Sequence, residues 1–236
     1  MKKFLVVKTT GEEKMKNYLS ILKECLIFKD IQENDLNYVL SSLNAKFLNV
    51  KKGVSILNME DKPQYIGIVL SGSANIIQED YWGKRTIFSV LQTGEVFAES
   101  FSYADVNSLP ISIIARENSN ILLIDCNKLL TIYTFSCKFH KILIQNLVKM
   151  LANKNVTLTR KIKHITQKST REKILSYLSE CAILFKNNTF KIPFNRQELA
   201  DYLSVDRSAL SNILCKMRDE GLIKFHKNKF ELLKNI

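Results

Sequence analysis

Apolar residues between Asn195 and Ile223 recur at helical spacing in two short runs with a polar break between them. This spacing predicts two amphipathic helices joined by a tight turn at Ser204-Val205-Asp206. Glu198, three residues after Asn195, is typical of a capping box, and Asp206 is a good N-cap for the second helix. The predicted apolar faces are Leu199, Ala200 and Leu203 in the first helix, and Leu210, Ile213, Leu214 and Met217 in the second.

The opposite face of the second predicted helix is polar and rich in hydrogen-bonding groups. It carries Arg207, Ser208, Ser211, Asn212, Cys215 and Arg218. In the first predicted helix, Ala200 is small enough to let the two helices approach closely. A pair of this kind, with a polar outer face on its second helix, is typical of a helix-turn-helix that reads base edges in a major groove. The alternative interpretation is an ordinary amphipathic helical hairpin in an α-rich protein.

Short β-rich segments broken by glycine fill the stretch from Lys46 to Asp125. The predicted strands are Ala45–Val50, Val54–Leu57, Tyr65–Ser71, Ala74–Glu79, Lys84–Leu91, Ile111–Ala115 and Ile121–Asp125. Several strands at this spacing, with turn signals between them, indicate a sandwich or barrel rather than a parallel sheet. Before them, Asn17–Leu43 has a helical pattern of apolar residues.

The stretch Lys138–Ile165 contains neither Gly nor Pro and predicts one long helix. Its apolar positions are close to heptad spacing, with Lys154 interrupting them near the middle. We expect this helix to pair with the same helix of a second copy. The alternative is a helix packed on its own β domain. The predicted dimer interface is Leu143, Leu147, Met150, Leu151, Leu158 and Ile162.

The remaining segments predict a small module around the helix pair. Thr170–Cys181 predicts a further helix, and Thr189–Ile192 predicts a short strand that Pro193 ends. Leu222–Phe225 and Lys229–Leu232 flank a turn and predict a hairpin. A helix-turn-helix followed by such a hairpin is a winged module, and lysines on the hairpin suit a phosphate backbone.

The net charge of +12 belongs to one half of the chain. Residues 1–137 hold 15 basic and 15 acidic side chains, whereas the part from Lys138 onward holds 20 basic and 8 acidic ones. Because the excess lies in the half that contains the predicted helix pair, we expect a polyanion to bind there. A solvated lysine-rich surface would not explain why the other half is neutral.

Length and composition narrow the class of protein. With 236 residues, 46% of them hydrophobic, the chain can build two domains with real cores. Its N-terminal apolar run is too short for a signal peptide, and no apolar stretch is long enough to cross a bilayer. Five widely spread cysteines indicate a reducing cytoplasm. Phosphate-loop, nucleophile-elbow, zinc-protease and dinucleotide motifs are missing, so we expect no enzyme and no catalytic residue.

The order of the segments and their motifs resemble the Crp/Fnr family of regulators, typified by the cyclic-AMP receptor protein, over about Asn17–Leu233. The motifs are Arg196-Gln197-Glu198-Leu199-Ala200, Val205-Asp206-Arg207-Ser208-Ala209-Leu210-Ser211, Leu70-Ser71-Gly72-Ser73 and Gly94-Glu95-Val96-Phe97-Ala98-Glu99. The resemblance implies an α+β fold: an N-terminal β-roll like the cyclic-nucleotide-binding jelly roll, a long dimerisation helix, and a C-terminal winged helix-turn-helix. The expected domains are residues 1–137, 138–166 and 167–236.

The resemblance also implies which residues bind DNA. The expected base-reading residues are Arg207, Ser208, Ser211 and Asn212. Arg207 can donate two hydrogen bonds to guanine, and Asn212 can pair with adenine. Family members often hold Glu and Arg where this chain has Ser208 and Asn212, so the usual operator sequence is not expected. The expected phosphate contacts are Asn195, Arg196, Gln197, Ser204, Lys216 and Lys227.

The sensor departs from the family pattern. Cyclic-AMP binders use a Glu for the ribose, where this chain has Glu99, and an Arg-Ser pair for the cyclic phosphate, where it has Leu109-Pro110. Leu and Pro offer neither a charge nor a side-chain donor, so a phosphate would be desolvated without compensation. We expect a pocket for a neutral or apolar molecule, or a vestigial one. The expected pocket residues are Gly72, Phe97, Glu99, Ser100, Leu109 and Pro110.

No cofactor and no metal site are expected. Only Cys25 lies where an iron–sulfur member would need several cysteines, and no histidine lies within the predicted roll to bind haem. Cys137-x-x-His140 supplies only two ligands. A thiol switch at Cys215 or Cys181 is conceivable, but no pKa-lowering arrangement is visible around either.

The leading hypothesis is a cytoplasmic, homodimeric regulator that binds a near-palindromic operator in double-stranded DNA. It senses a small molecule other than cyclic AMP or acts without an effector. RNA polymerase and an unidentified effector stay open as further partners, and no membrane is expected. The alternative is an effector-binding or thiol-redox-responsive protein whose basic half docks on another macromolecule such as RNA, although no stacking-aromatic motif for RNA is visible.

Overall fold

The computed structural model describes residues 11–82, 85–104, 106–131 and 138–233. It divides into two compact units, Met1–Leu151 and Ala152–Ile236. The boundary between them falls inside the long helix, whereas the sequence analysis placed its boundaries on either side of that helix. The division into three domains therefore stays a prediction.

The first unit contains two antiparallel four-stranded sheets, together with helices. The helices are α1 (Gly11–Glu24), α2 (Glu33–Ser42), α3 (Glu99–Tyr103), α4 (Cys126–Thr131) and the first part of α5 (Lys138–Ile165). The strands are β1 (Lys46–Val50), β2 (Ser55–Leu57), β3 (Tyr65–Ser71), β4 (Ala74–Glu79), β5 (Arg85–Leu91), β6 (Val96–Phe97), β7 (Ser112–Ala115) and β8 (Ser119–Asp125). One sheet has the order β1-β8-β3-β6, and the other has the order β2-β7-β4-β5.

The central strand β3 is buried on both faces because helices cover one side of its sheet and the second sheet covers the other. Ile66, Ile68 and Leu70 pack with residues of α1, α2 and α5, whereas Val69 packs between the sheets. Side chains alternate across a strand, so a strand with two covered faces needs an unbroken apolar run. This explains why the sequence of β3 shows no polar alternation.

The predicted strands of the first unit are confirmed, each with ends within two residues of the prediction wherever the chain is described. The short elements β6, α3 and α4 were not predicted, since two to six residues carry no recognisable period. The predicted helical stretch Asn17–Leu43 is two helices with a 3₁₀ turn, Leu26–Phe28, between them. The buried Asn146 amide donates to the carbonyl oxygens of Ile27 and Lys29 at 3.3 and 2.7 Å and holds this turn.

The long helix α5 has the predicted bounds, but half of its predicted interface is core. Leu143, Leu147 and Met150 are 1, 4 and 3% exposed and pack with α1, α2 and the sheet of the same chain. These three residues are therefore not on an exposed seam, which corrects the sequence expectation. The alternative interpretation, a helix packed on its own β domain, is right for this part of α5.

The second unit is a three-helix core with a small sheet. Besides the end of α5 it contains α6 (Thr170–Phe185), α7 (Arg196–Leu203) and α8 (Arg207–Asp219), and the strands β9 (Thr189–Lys191), β10 (Ile223–His226) and β11 (Lys229–Leu232). The sheet is antiparallel with the order β10-β11-β9. The buried core joins Ile174 and Leu178 of α6 to the apolar faces of α7 and α8. The predicted hairpin and helix pair are thus confirmed.

Candidate nucleic-acid interface

The two helices of the predicted pair, α7 and α8, are capped as the sequence indicates. The Asn195 side chain accepts a hydrogen bond from the Glu198 N–H at 3.0 Å, and the Glu198 carboxylate accepts one from the Asn195 N–H at 2.7 Å. The Asp206 carboxylate accepts from the N–H groups of Ser208 and Ala209 at 2.8 and 3.0 Å. These bonds satisfy N–H groups that a helix start leaves unpaired, so they fix where each helix begins.

A lysine of α6 stabilises the turn between α7 and α8. Ser204 ends α7 in the left-handed backbone region with φ 51°. The Lys173 ammonium donates to the carbonyl oxygens of Leu203 and Ser204, both at 3.3 Å. Because α7 carbonyls at its C-terminus lack helical partners, a cation there satisfies them and stabilises the turn. This contact fixes how α8 leaves α7.

The outer face of α8 presents the residues expected to read bases. Arg207, Ser208 and Asn212 are exposed, and Ser211 is partly buried. The Ser208 hydroxyl donates to the Asp206 carboxylate, and this hydrogen bond is the main reason why the pKa of Asp206 is lowered. While that bond is made, Ser208 offers only lone pairs to a base, whereas Arg207 and Asn212 keep their donors.

The hairpin of β10 and β11 has its turn at Lys227 and Asn228. Lys227 has a left-handed backbone with φ 53° and is exposed. The Asn228 amide donates to the Ile192 carbonyl at 3.1 Å, and the Ile192 N–H donates to the Asn228 carbonyl at 2.9 Å. The turn of the wing is thereby joined to the residue that follows β9, which fixes the backbone from which the Lys227 side chain projects.

Arg196 links the start of α7 to the wing, a role that the sequence did not indicate. Its guanidinium carbon lies 4.9 Å from the ring centre of Phe225 and 5.7 Å from that of Phe230. It also donates to the Lys227 carbonyl at 3.4 Å. Burial lowers the pKa of Arg196, although a guanidinium stays charged in proteins. Its place over two aromatic faces could be seen only once the wing had folded.

The other expected phosphate contacts lie on the surface of the same unit. Exposed residues of this set are Asn195, Gln197, Ser204, Lys216 and Lys227. Further exposed cations on α8 and the wing are Arg218, Lys224 and Lys229. The arrangement places donors and positive charge around an exposed helix face, which is the chemistry that a phosphate backbone and base edges require.

In the first unit, the residues expected to form an effector pocket are divided between core and surface: Phe97, Glu99 and Leu109 are buried, Gly72 is partly buried, and Ser100 and Pro110 are exposed. Leu109 is 1% exposed and packs between the sheets with Phe97, while Pro110 is exposed. The Leu109 N–H donates to the Asp61 carbonyl at 2.9 Å. A core side chain thus occupies the position at which the resemblance leads us to expect the Arg of cyclic-AMP binders.

Two other residues of the expected pocket, Glu99 and Gly72, make contacts within the fold itself. Glu99 is 3% exposed at the start of α3, and the Ser100 hydroxyl donates to its carboxylate at 3.2 Å. Gly72 has φ 80°, and a Cβ added there would lie 2.4 Å from the Ser119 hydroxyl oxygen. Gly72 is therefore required by a tight turn, whatever the pocket binds.

Beyond the core contacts of α5, this helix carries a second apolar stripe that is exposed. Val148, Leu158 and Ile162 are 60, 59 and 56% exposed, and Asn155 is exposed between them. With the partly buried Leu151, these residues alternate in steps of three and four, which is strict heptad spacing. The expected interface residues Leu151, Leu158 and Ile162 lie on this stripe. Val148 and Asn155 were not predicted, although their heptad spacing from Leu151 and Leu158 could have been read from the sequence.

A buried histidine joins the end of α5 to α6 within the second unit. His164 is 1% exposed; its Nδ1 lies 2.8 Å from the Ser176 hydroxyl, and its Nε2 lies 3.6 Å from the Glu180 carboxylate. Arg160 and Lys163 pair with the same carboxylate at 3.3 Å. Burial lowers the pKa of His164 and outweighs the opposing effect of Glu180, whose charge is shared with two other cations.

The cysteines give little support to a thiol switch. Cys181 is buried, and burial raises its pKa, which disfavours the reactive thiolate. Cys215 is a free, partly buried thiol on α8. Cys137 lies outside the described residues, and the His140 ring lies 2.8 Å from the Leu129 carbonyl oxygen. Among the described residues, no group of three or more metal-ligating side chains occurs.

Comparisons with known proteins agree with this arrangement. Residues 47–134 match the cyclic nucleotide-binding domain family, and residues 172–234 match the Crp-like helix-turn-helix domain family. No curated protein sequence matches the chain.

None of the helices in the described ranges is both long and apolar enough to span a membrane.

Three solved structures share the fold at low sequence identity. CprK complexed with OCPA is 14% identical over 86% of this chain and 90% of that one, with a TM-score of 0.60. The c-di-GMP-responsive global regulator CLP of Xanthomonas campestris is 16% identical over 86% of this chain and 100% of that one, with a TM-score of 0.54. The sensor domain of the transcriptional regulator DNR from Pseudomonas aeruginosa is 17% identical over 66% of this chain and 99% of that one, with a TM-score of 0.50.

A cyclic nucleotide-binding domain followed by a Crp-like helix-turn-helix defines a class of DNA-binding transcription regulators. The chain belongs to the Crp/Fnr family. The α+β fold class, with its N-terminal β-roll, long helix and C-terminal winged helix-turn-helix, is confirmed.

Proposed function

We propose that two copies of this chain pair through α5 and bind a near-palindromic operator in double-stranded DNA as a transcription regulator. The observation that carries the proposal is the exposed polar face of α8 in a half of the chain with net charge +12. In this proposal α8 enters the major groove. Arg207 and Asn212 donate to bases, while the exposed Lys227 of the wing meets the phosphate backbone.

The heptad stripe of α5 supports a dimer. Val148, Asn155 and Ile162 occupy one core position of the heptad, and Leu151 and Leu158 occupy the other. β-branched residues at the first position, with Leu at the second, favour a parallel coiled coil of two helices. A parallel pair has a two-fold axis, so its recognition helices meet half-sites about 34 Å apart, one turn of DNA.

The sensor of this proposed regulator does not use the family's grip on a cyclic phosphate. The buried Leu109 supports this view, because it leaves no side-chain donor for an anion at that place. The proposed regulator therefore senses another small molecule or acts without one. RNA polymerase is a partner that the proposal leaves open.

Selection of binding sites from random duplexes tests the proposal. The full chain, with and without cell extract, should enrich a two-fold symmetric site whose half-sites are about 10 base pairs apart. The matched control is Arg207→Ala combined with Asn212→Ala, which should bind duplexes without enriching that site. Enrichment of an asymmetric site, or of none under either condition, would contradict the proposed homodimer on an operator.

A further inference from the structure

A cavity of about 480 Å³ opens at one end of the β-roll, between β1, β3 and β8 of one sheet and β2 of the other. Its lining includes Lys46, Leu48, Leu57, Lys62, Tyr65 and Leu123. None of the six residues expected to form the effector pocket is in this lining. The volume falls within the usual range for small-molecule sites.

Strand register places a solvent-exposed lysine on the inner face of the sheet at this end of the roll. Lys46 pairs with Leu123, Leu123 pairs with Gly67, and Gly67 pairs with Phe97, in one row across the sheet. Directly opposed residues share a face of the sheet. Leu123 and Phe97 pack between the sheets, so Lys46 projects from that same inner face at the edge strand β1.

The floor of the cavity is apolar, and its mouth is positive. Ile56, Leu57 and Leu123 are buried side chains of the inter-sheet core that nevertheless border the opening. The Lys46 ammonium donates to the Tyr65 hydroxyl at 2.8 Å, and Lys62 is exposed at the same mouth. An apolar floor below two cations suits a ligand with an apolar body and an anionic head.

The carboxylate at the mouth does not cancel both lysines. Asp61 accepts hydrogen bonds from the Asn58 N–H at 2.8 Å and from the Asn58 side-chain amide at 3.1 Å. Its charge is thus directed into its own loop, and two cations face one anion around the opening. A head group with a single negative charge matches this balance, whereas a phosphate dianion exceeds it.

We propose that this cavity binds an amphipathic monocarboxylate. The carboxylate pairs with Lys46 and Lys62, and the chain lies against Leu48, Leu57 and Leu123. Neither Glu99 nor Leu109 lines the cavity, although the Leu109 N–H donates to the carbonyl of Asp61 at its mouth. Its occupancy does not depend on DNA binding. The competing explanation is that an inward lysine merely protects the edge strand β1 from pairing with another chain.

Calorimetric titration of the full chain with octanoate, methyl octanoate and octylamine tests the site. These probes share a chain and differ in head-group charge. Octanoate should bind saturably and at least tenfold more tightly than the other two. Lys46→Met and Lys62→Met keep an unbranched side chain that is one atom shorter and remove its charge. Each should weaken octanoate binding about tenfold, as expected for the loss of one charge-assisted contact. The matched control Lys51→Met, another exposed lysine outside the lining, should bind octanoate like the parent chain.

Amide chemical shifts of the parent chain provide a second measurement that needs no variant. Octanoate should shift resonances of β1 and of residues 58–62, and Glu99→Ala should leave the titration unchanged. Equal affinity for all three probes, unchanged affinity in both lysine variants, or loss of binding in Glu99→Ala would overturn the proposal. Absence of saturable binding at millimolar octanoate would leave edge-strand protection as the role of Lys46.

Discussion

Arg207 and Lys227 are both exposed cations of the second unit, but their surroundings assign them different tasks. Arg207 is the first residue of α8 and shares this helix with the hydrogen-bonding side chains of Ser211 and Asn212, whereas Lys227 lies in the turn of the wing. Arg207→Ala should relax specificity at one base pair of each half-site and cost about 1–3 kcal/mol of binding free energy there. Measured affinities for an operator and its single-base variants check this.

Lys227→Ala should weaken binding to all duplexes alike. A phosphate contact carries no sequence information, and its loss should reduce the slope of log affinity against log salt by about one unit. Titrations at several salt concentrations measure this slope. Equal, sequence-independent losses for both variants would mean that Arg207 contacts the backbone rather than a base.

His164 should make the stability of the second unit depend on pH. Burial lowers its pKa in the folded chain below the value of about 6.5 that a histidine has in an unfolded chain. As the pH falls through that value, the unfolded state binds a proton more readily than the folded state does. The free energy of unfolding therefore decreases toward acid and is fully retained above about pH 7.

Urea unfolding followed by circular dichroism at pH 7.5 and 5.5 measures this dependence. His164→Gln keeps a polar side chain near Ser176 but cannot titrate, so its stability should change less between the two pH values than that of the parent chain. His226→Gln is the matched control, because His226 is exposed on the wing. A parent-like pH dependence in His164→Gln would show that His164 is not its source.

At the scale of elements, the exposed stripe of α5 sets the expected oligomer. Leu158 and Ile162 are more than half exposed, and burial of the remaining area by a partner should contribute roughly 1–2 kcal/mol for each. Changing both to Lys should therefore weaken pairing by more than about a hundredfold and give monomers without specific DNA binding. Sedimentation checks the mass. Val156→Lys is the control, because Val156 is 48% exposed but lies off the stripe. Dimers in the double variant would place the interface elsewhere.

Asn155 interrupts the same stripe and should restrict how two helices pair. An Asn at this heptad position specifies register and a two-stranded state at a cost in stability. Asn155→Leu should therefore raise the unfolding temperature of the dimer and add higher oligomers in sedimentation profiles. Asn153→Leu, another exposed position of α5, is the control. An unchanged mass distribution in Asn155→Leu would contradict a register role.

Elements with a long period could be predicted from the sequence, and their exact contacts could not. The bounds of α5 were predicted because 28 residues lack any breaker, yet the face that packs inward was assigned to the partner. Two apolar stripes lie one residue apart on this helix: Leu143, Leu147 and Met150 face the core, and Val148 and Leu158 face outward. Periodicity finds apolar positions but does not say which neighbour covers each, since that depends on non-local packing.

At the scale of the whole molecule, the DNA-binding half was more predictable than the sensor. Caps, turn and helix face act within 30 residues, so Asn195, Asp206 and Arg207 could be placed from local chemistry. The sensor is built from strands far apart in the chain, as when Lys46 pairs with Leu123. A cavity between two sheets leaves no local pattern, and the region around Lys46, Lys62 and Tyr65 was therefore not predicted.

Because Leu109 and Pro110 stand where cyclic-AMP binders are expected to have an Arg-Ser pair, we expect the molecule not to bind cyclic nucleotides. Leu109 is packed in the inter-sheet core, and Pro110 has no N–H to donate, so neither compensates the desolvation of a cyclic phosphate. Titration calorimetry of the full chain with cyclic AMP and cyclic GMP should show no binding, and neither nucleotide should change the affinity for an operator.

The same packing predicts what happens when the family pair is restored. Leu109→Arg with Pro110→Ser should place an unpaired charge in a site that is 1% exposed, so the double variant should unfold at a lower temperature than the parent chain. Pro110→Ser alone is the control, because Pro110 is exposed and its loss removes no core contact. Excess cyclic AMP should not recover the stability of the double variant if the core has closed over the place of the phosphate. Micromolar affinity of the parent chain for either nucleotide, abolished by Glu99→Ala, would instead mean that Glu99 and backbone donors suffice for the cyclic-nucleotide mechanism.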